Sequence, residues 1–166
     1  MNDTNMAAIV IPVQPQGTNA RLQMNNLLHG ILKTIIRLPW LHADAGGIFL
    51  ADPVNRRLEL AAHLNFTPQI QGACARVAFG HCLCGCVAES GELLHVGCVD
   101  HRHETRYEGM ADHGHYVVPI RDGGDLLGVL TLYVEAGHQY REDEAEALRD
   151  FATTPGAGHP AEPLAT

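Results

Sequence analysis

The chain has 166 residues, of which 46% are hydrophobic, and this composition suits one domain with a full hydrophobic core. Its formal net charge of −8 and its single lysine, Lys33, disfavour binding to nucleic acid or to an anionic membrane. No run of the sequence approaches the roughly 20 apolar residues that span a membrane. The N-terminal apolar run has no basic residue before it, so we expect a cytoplasmic protein with reduced thiols.

The first half of the chain begins with a predicted amphipathic helix. Apolar residues recur at three- and four-residue spacing from Ala20 to Leu38, and the helix is expected to end before Pro39. Residues 1–19 are polar and are expected to form a flexible lead. Two strands of a hairpin follow, and then an irregular stretch with a short helix. These elements are Gly46–Ala51, Leu58–Leu64 and Phe66–Val77.

The second half predicts a short helix closed by Gly91, three strands and a final helix. The last two strands are joined by Asp122-Gly123-Gly124, a strong hairpin signal. Because helices and strands are grouped, the order favours an α+β domain with an antiparallel sheet. The tail from residue 153 to 166 is expected to be disordered. The predicted elements are Leu83–Glu89, Leu93–Val96, Tyr116–Ile120, Leu126–Val134 and Glu142–Phe151, with a loop over 101–112.

Three motifs resemble the GAF domain, a small sensory module of signalling proteins. Gly85 to Glu92 reads GCVAESGE and is similar to the helix and turn of that family. Val117-Val118-Pro119-Ile120 and Leu127 to Leu132 resemble two of its strands. The likeness extends over roughly Leu22 to Phe151, and the order and spacing of the motifs make it specific.

The resemblance implies one GAF domain over residues 20–152 with a profilin-like, PAS-related fold. That fold has an antiparallel sheet of about six strands, helices on its faces and a pocket on one face. It implies a sensory role through a bound small molecule or metal, and often a homodimer through the terminal helices. The family's last helix normally continues toward an output domain, whereas here it ends near Thr153. The domain would therefore act on a separate signalling partner, or the chain would be a fragment. A non-catalytic dimerisation scaffold is a further alternative.

Four of the five cysteines and six of the eleven histidines lie between Gly80 and Tyr116. Thiols and imidazoles bind zinc, non-haem iron and iron–sulfur clusters, so this segment predicts a mixed metal site. A helix N-terminus at Cys82 and Cys84 would also lower the pKa of their thiols. The candidate metal ligands are Cys82, Cys84, Cys98, His101, His103 and His115. The candidate pocket residues are His81, Cys82, Cys84, Asp100, Arg106, His113 and Tyr116.

Two other interpretations of the cluster remain open. A disulfide between Cys82 and Cys84, or between Cys84 and Cys98, would make a thiol switch. Alternatively the cysteines are small buried apolar residues and the histidines hold loops by hydrogen bonds. For His113 and His115, alternation along a strand predicts that both rings lie on one face.

Free-methionine-(R)-sulfoxide reductases are the enzymatic members of the GAF family that this chain also resembles. They have a Cys-Gly pair at the start of a helix, similar to Cys84-Gly85. Their nucleophilic cysteine lies at the end of the next long loop, where this chain reads Met110-Ala111-Asp112-His113-Gly114. A thiol reductase needs both an activated nucleophile and a resolving partner. The missing cysteine argues against reductase activity, and we expect a domain that is not an enzyme.

Overall fold

An antiparallel sheet forms the centre of the computed structural model, which describes residues 16–154. The strand order is β3-β2-β1-β6-β5-β4, and the short β7 pairs in parallel with β5. This arrangement confirms the predicted α+β class. The strands are β1 (Ala45–Asp52), β2 (Arg57–Leu64), β3 (Arg76–Ala78), β4 (Leu94–Val96), β5 (Gly114–Asp122), β6 (Asp125–Val134) and β7 (Thr153–Thr154).

Four helices flank the sheet, and local sequence signals fix their ends. Helix α2 begins after Thr67, whose hydroxyl accepts a hydrogen bond from the Ile70 amide, and Pro68 occupies the first turn. Helix α3 ends at Gly91, which adopts the left-handed conformation at φ 70°. No helix among the described residues is long and apolar enough to cross a membrane. The helices are α1 (Thr18–Ile36), α2 (Pro68–Ala73), α3 (Cys82–Ser90) and α4 (Glu142–Ala152).

The two faces of the sheet bury different sets of side chains. Alternation along β5 and β6 directs one set toward α1 and α4, and the other toward α3. The first face includes Tyr116, Val118 and Leu130, which pack in one core with residues of α1 and α4. The second face includes Val117 and Val129, which pack with α3. The face covered by α3 is also the face on which His115, from the histidine-rich segment 80–116, lies.

Helix α3 approaches the sheet edge closely because Gly85 has no side chain. A Cβ atom at position 85 would lie 2.2 Å from the carbonyl oxygen of Ala78 in β3. The Gly80 amide donates to the Gly85 carbonyl at 2.8 Å and holds the turn before the helix in place. This close contact fixes where the cysteines of α3 lie relative to the sheet.

Several boundaries differ from those predicted. Helix α1 begins at Thr18, inside the expected lead, and Thr153–Thr154 at the start of the expected tail pair with β5. The strand β3 lies within and just beyond the stretch that was predicted to be irregular. Its three residues have no alternating pattern of their own, and they are extended because they pair with β2. The rest of the predicted lead and tail, residues 1–15 and 155–166, lies outside the described residues.

A buried polar network attaches the start of α4 to the sheet. The Tyr116 hydroxyl donates to Glu144 Oε2 at 2.8 Å and accepts from the Arg141 amide at 3.1 Å. His138 Nε2 lies 3.3 Å from the same carboxylate oxygen, and His138 Nδ1 lies 3.1 Å from His95 Nε2. Glu144 is only 4% exposed, so its carboxylate depends on these partners.

We predict that Tyr116→Phe lowers the free energy of unfolding by about 1–3 kcal/mol, because it removes a partner from the buried carboxylate of Glu144. The matched control is Tyr140→Phe, since Tyr140 donates to the exposed Glu142 at 2.6 Å. That control should change stability by less than about 0.5 kcal/mol. Urea unfolding of metal-free protein measures both variants. Equal losses would contradict the role assigned to the Tyr116 hydroxyl.

Candidate functional site

Three histidines converge on the face of the sheet that α3 covers. One ring nitrogen from each of His103, His113 and His115 lies within 4.8 Å of the others. The ring centroids are 4.7 Å apart for His113 and His115, 5.0 Å for His103 and His115, and 5.4 Å for His103 and His113. His103 and His115 are buried, at 4% and 2% exposure. We call these three residues the histidine cluster.

Each ring of the histidine cluster has one buried nitrogen without a hydrogen-bond partner. These atoms are Nδ1 of His103, Nε2 of His113 and Nε2 of His115. His113 Nδ1 lies 2.8 Å from the Ala111 carbonyl oxygen. Because a carbonyl only accepts, Nδ1 of His113 carries the proton and Nε2 presents its lone pair. His115 Nδ1 lies 3.3 Å from the Thr131 hydroxyl, so the same tautomer is available to it.

The cluster is assembled from β5 and from the loop before it, residues 97–113. His115 lies on β5, opposite Tyr133 of β6, and His113 immediately precedes the strand. The ring of His113 stacks on Tyr133 with a centroid distance of 4.6 Å and an interplanar angle of 7°. His103 is brought in by the loop, which is closed where Asp112 Oδ1 accepts from the Val99 amide at 2.8 Å.

Burial favours the neutral form of His103 and His115. The pKa of His115 is well below its usual value, because desolvation penalises the charged ring and because His113 and His103 lie beside it. Desolvation likewise lowers the pKa of His103, and repulsion from His113 adds to that shift. Neutral imidazoles are the form in which histidine binds metal ions. His103 and His115 are thereby favoured in the form that binds metal, and His113 brings a third ring nitrogen to the same place.

Among the described residues, the group of ligand-type side chains that includes the histidine cluster contains no cysteine. All five are free thiols, and Cys98 is exposed. Desolvation raises the pKa of Cys84, and Thr131 opposes that shift. Desolvation also raises the pKa of Cys74, which lies 3.7 Å from the Thr105 hydroxyl oxygen. The expectation that the N-terminus of α3 lowers the pKa of its thiols is therefore wrong for Cys84.

Other predicted site residues do not belong to the group of three ligand nitrogens. His101 is exposed, and His81 is exposed with its ring 3.4 Å from Glu104. Asp100 pairs with Arg102, and Tyr116 lies on the opposite face of the sheet in the network with Glu144. Cys82 packs beside the core under α3. Of the residues singled out from the sequence, the structure brings together His103, His113 and His115.

Two residues beside the cluster were not singled out from the sequence. Thr131 contacts both His115 and Cys84, and Tyr133 packs against the rings of His113 and His115. Both lie on β6 with their side chains on the same face. The signal available was the hairpin register, because the turn at Gly123 and Gly124 places His115 opposite Tyr133 and Val117 opposite Thr131.

A cavity of about 280 Å³ lies beside the cluster. His113 and Tyr133 form part of its wall, so the cluster borders the cavity through the ring of His113. The acidic residues Asp44, Asp112 and Glu135 are among the other lining residues. Its apolar lining comes from Phe66, Ile70, Tyr107, Met110 and Val134.

Residues 22–156 match the sequence model of the GAF domain, which is most of the chain. This chain belongs to the GAF domain family. The predicted family is thereby confirmed. No curated protein sequence shows significant similarity to this chain.

Solved structures with the same fold include both regulatory domains and enzymes. The GAF domain of a phosphoenolpyruvate-protein phosphotransferase from Coxiella burnetii is 29% identical, with a TM-score of 0.63 over 81% of this chain and 84% of that one. The type II free methionine-R-sulfoxide reductase from Thermoplasma acidophilum is 15% identical, with a TM-score of 0.62 over 80% and 89%. The free methionine-R-sulfoxide reductase from Neisseria meningitidis is 20% identical, with a TM-score of 0.60 over 86% and 92%. At 15% and 20% identity, the similarity to the two reductases shows only that they share this fold.

We predict that the metal-free GAF domain loses stability as the pH falls below about 6.5, where an unfolded histidine takes up a proton. The pKa values of His103 and His115 are lowered in the folded state, so the unfolded chain binds more protons in this range. The contribution of these two histidines to the free energy of unfolding is then complete above about pH 6.5 and declines on acidification. The total decline is about 1.4 kcal/mol per histidine for each unit by which its folded pKa lies below its unfolded pKa. Urea unfolding in a chelator at several pH values measures the decline. His115→Gln should reduce it, and an unchanged slope in that variant would contradict the effect of burial.

Proposed function

We propose that this GAF domain is a sensory module that binds a divalent transition-metal ion through His103, His113 and His115. The observation that carries the proposal is the convergence of three histidine rings, each of which has a ring nitrogen within 4.8 Å of those of the other two. Each ring also has one buried nitrogen without a hydrogen-bond partner. A buried polar atom without a partner costs free energy, and a shared metal ion would satisfy all three at once. The hydrogen bond from His113 Nδ1 to Ala111 supports this, because metal-binding histidines usually donate their other N–H to a carbonyl, carboxylate or water.

The donor set favours zinc or non-haem iron over an iron–sulfur cluster. Neutral imidazole suits zinc, iron, copper and nickel. An iron–sulfur cluster is held by thiolates, and burial raises the pKa of Cys74 and Cys84 and so opposes thiolate formation there. Metal affinity also follows the protonation of its ligands. Depressed pKa values at His103 and His115 therefore favour binding near neutral pH.

A sensory role is supported by the family and by where the ligands lie. The GAF domain is a signalling and ligand-binding fold, and one similar solved structure is the GAF domain of a phosphotransferase. Two of the three ligands, His103 and His113, belong to the irregular loop 97–113, and His115 belongs to β5. Metal binding would tie this loop to the sheet, which is the kind of local change that a separate partner can read.

The alternative of a free-methionine-(R)-sulfoxide reductase receives support only from the shared fold. The residues that resemble the position of its nucleophile, Met110 to Gly114, contain no cysteine. In the structure this stretch places His113 in the histidine cluster. An imidazole at that point suits a metal ligand and does not supply the thiol that the reduction requires. We therefore favour the metal-binding sensor.

We predict that protein purified without a metal-chelating tag contains close to one equivalent of a transition metal. Replacing His103, His113 or His115 by Ala should weaken metal affinity by more than about 100-fold, because each removes a direct ligand. His81→Ala and His101→Ala are matched controls from the same segment with exposed rings. Elemental analysis and competition with a chromogenic chelator measure content and affinity. Binding that survives in all three cluster variants would contradict the proposal.

We predict a smaller effect for Thr131→Val, which removes the hydroxyl beside His115 Nδ1 and keeps the size of the side chain. Metal affinity should fall about 10- to 100-fold, because partners of this kind fix the tautomer and orientation of a ligating ring. Thr131→Ser restores the hydroxyl and should recover most of the affinity. If the two variants bind equally, Thr131 does not position His115.

A further inference from the structure

The proposed metal site would carry a positive net charge, and the inference that follows rests on that proposed site. Histidine binds a metal ion as the neutral imidazole, so three histidine ligands would add no charge to the centre. A divalent ion held by them would keep its full charge of +2. His103 and His115 are 4% and 2% exposed, so this charge would lie in an interior that water screens poorly.

A cationic side chain next to the cluster adds to this positive charge. Arg106 Nε donates to the carbonyl of His103 at 3.1 Å, and its Nη2 donates to the carbonyl of Asp100. Both acceptors are uncharged, so these bonds hold the guanidinium without neutralising it. Its field contributes to the lowered pKa of His103. A metal ion bound at His103 would therefore have one cationic side chain nearby, whereas the acidic residues Asp44, Asp112 and Glu135 line the cavity next to His113.

The ligand count leaves room for a further donor. Zinc takes at least four ligands, and sites with three protein ligands keep a position for water or another ligand. Among the residues that the structure describes, the group that meets in this place consists of three histidines. His103 and His115 are almost fully buried, so a compact donor suits the remaining position.

We propose that the metal centre binds a small anion as its additional ligand, with Arg106 contributing to the affinity. The class consists of compact donors with one negative charge, such as azide, thiocyanate, nitrite or acetate. The anion displaces a water molecule from the metal and lowers the net charge of the centre from +2 to +1. No bond in the anion is broken and no electron is transferred.

The test uses the full chain loaded with Co²⁺, whose visible absorption reports changes in its ligands. Titration with sodium azide and with sodium acetate should give saturable spectral changes, whereas acetamide, a neutral molecule of similar shape to acetate, should give none at equal concentration. Arg106→Gln should weaken anion binding about fivefold. The control Arg102→Gln should leave it unchanged, because Arg102 pairs with Asp100.

The outcomes separate the two proposals. If Co²⁺ binds with one equivalent and loses affinity in His115→Ala, but anions leave the spectrum unchanged, the anion proposal is overturned and the metal site stands. Equal responses to acetate and acetamide would also overturn it, since charge would not be the basis of recognition. If Co²⁺ does not bind to the intact chain, both proposals are overturned. Normal anion affinity in Arg106→Gln would overturn the part assigned to that residue.

Discussion

Side chains alternate across the two faces of β5, and the arrangement of the site depends on this alternation. His115 turns toward the face covered by α3, and Tyr116, the next residue, turns toward α1 and α4. The pairing of β5 with β6 fixes the register, so that His115 lies opposite Tyr133 and Tyr116 opposite Leu132. A shift of one residue would exchange the faces, placing an imidazole in the apolar core and a tyrosine over the pocket. The burial of both sets of side chains makes that register strongly preferred.

The parts of the site that sequence could predict are those governed by local pattern. The Asp122-Gly123-Gly124 turn and the apolar runs beside it predict the β5–β6 hairpin, and alternation predicts that His113 and His115 share a face. Both rings do contact Tyr133 on that face. The GAF resemblance supplied an antiparallel sheet of about six strands, but the order of those strands came only from the structure.

The burial of His103 could not be predicted from local sequence pattern, because it depends on how an irregular loop closes. The loop is held by the bond between Asp112 and the Val99 amide and by the bonds of Arg106 to two backbone carbonyls. Neither contact has a periodic signature in the sequence. His101 and His103 are two residues apart and look equivalent as ligands, yet one is exposed and the other is 4% exposed. Tertiary closure of the loop decides between them.

The cysteines illustrate why composition overstated their part in the site. Cysteine is a soft ligand when ionised and a small apolar residue when it is not, and the environment decides which. Helix α3 lies close to β3 because of Gly85, and this packing desolvates the Cys84 thiol. Burial therefore has opposite effects on the metal-binding capacity of imidazoles and thiols. It keeps an imidazole neutral, which is its metal-binding form, and it keeps a thiol protonated, which is not.

One short stretch of backbone carries residues of both the histidine cluster and the polar network around Glu144. His115 belongs to the cluster and Tyr116 to the network, while His95 on β4 lies opposite Tyr116, and Val96 beside it lies opposite His115. Loop 97–113 directly follows β4. Helix α4 begins after Arg141, whose backbone amide donates a hydrogen bond to the Tyr116 hydroxyl. Two sites are coupled only to the extent that each favours different conformations of an element they have in common. In this GAF domain the element in common is the paired backbone of β4 and β5, because it carries the proposed ligand His115 on one face and Tyr116, which is bonded to α4, on the other.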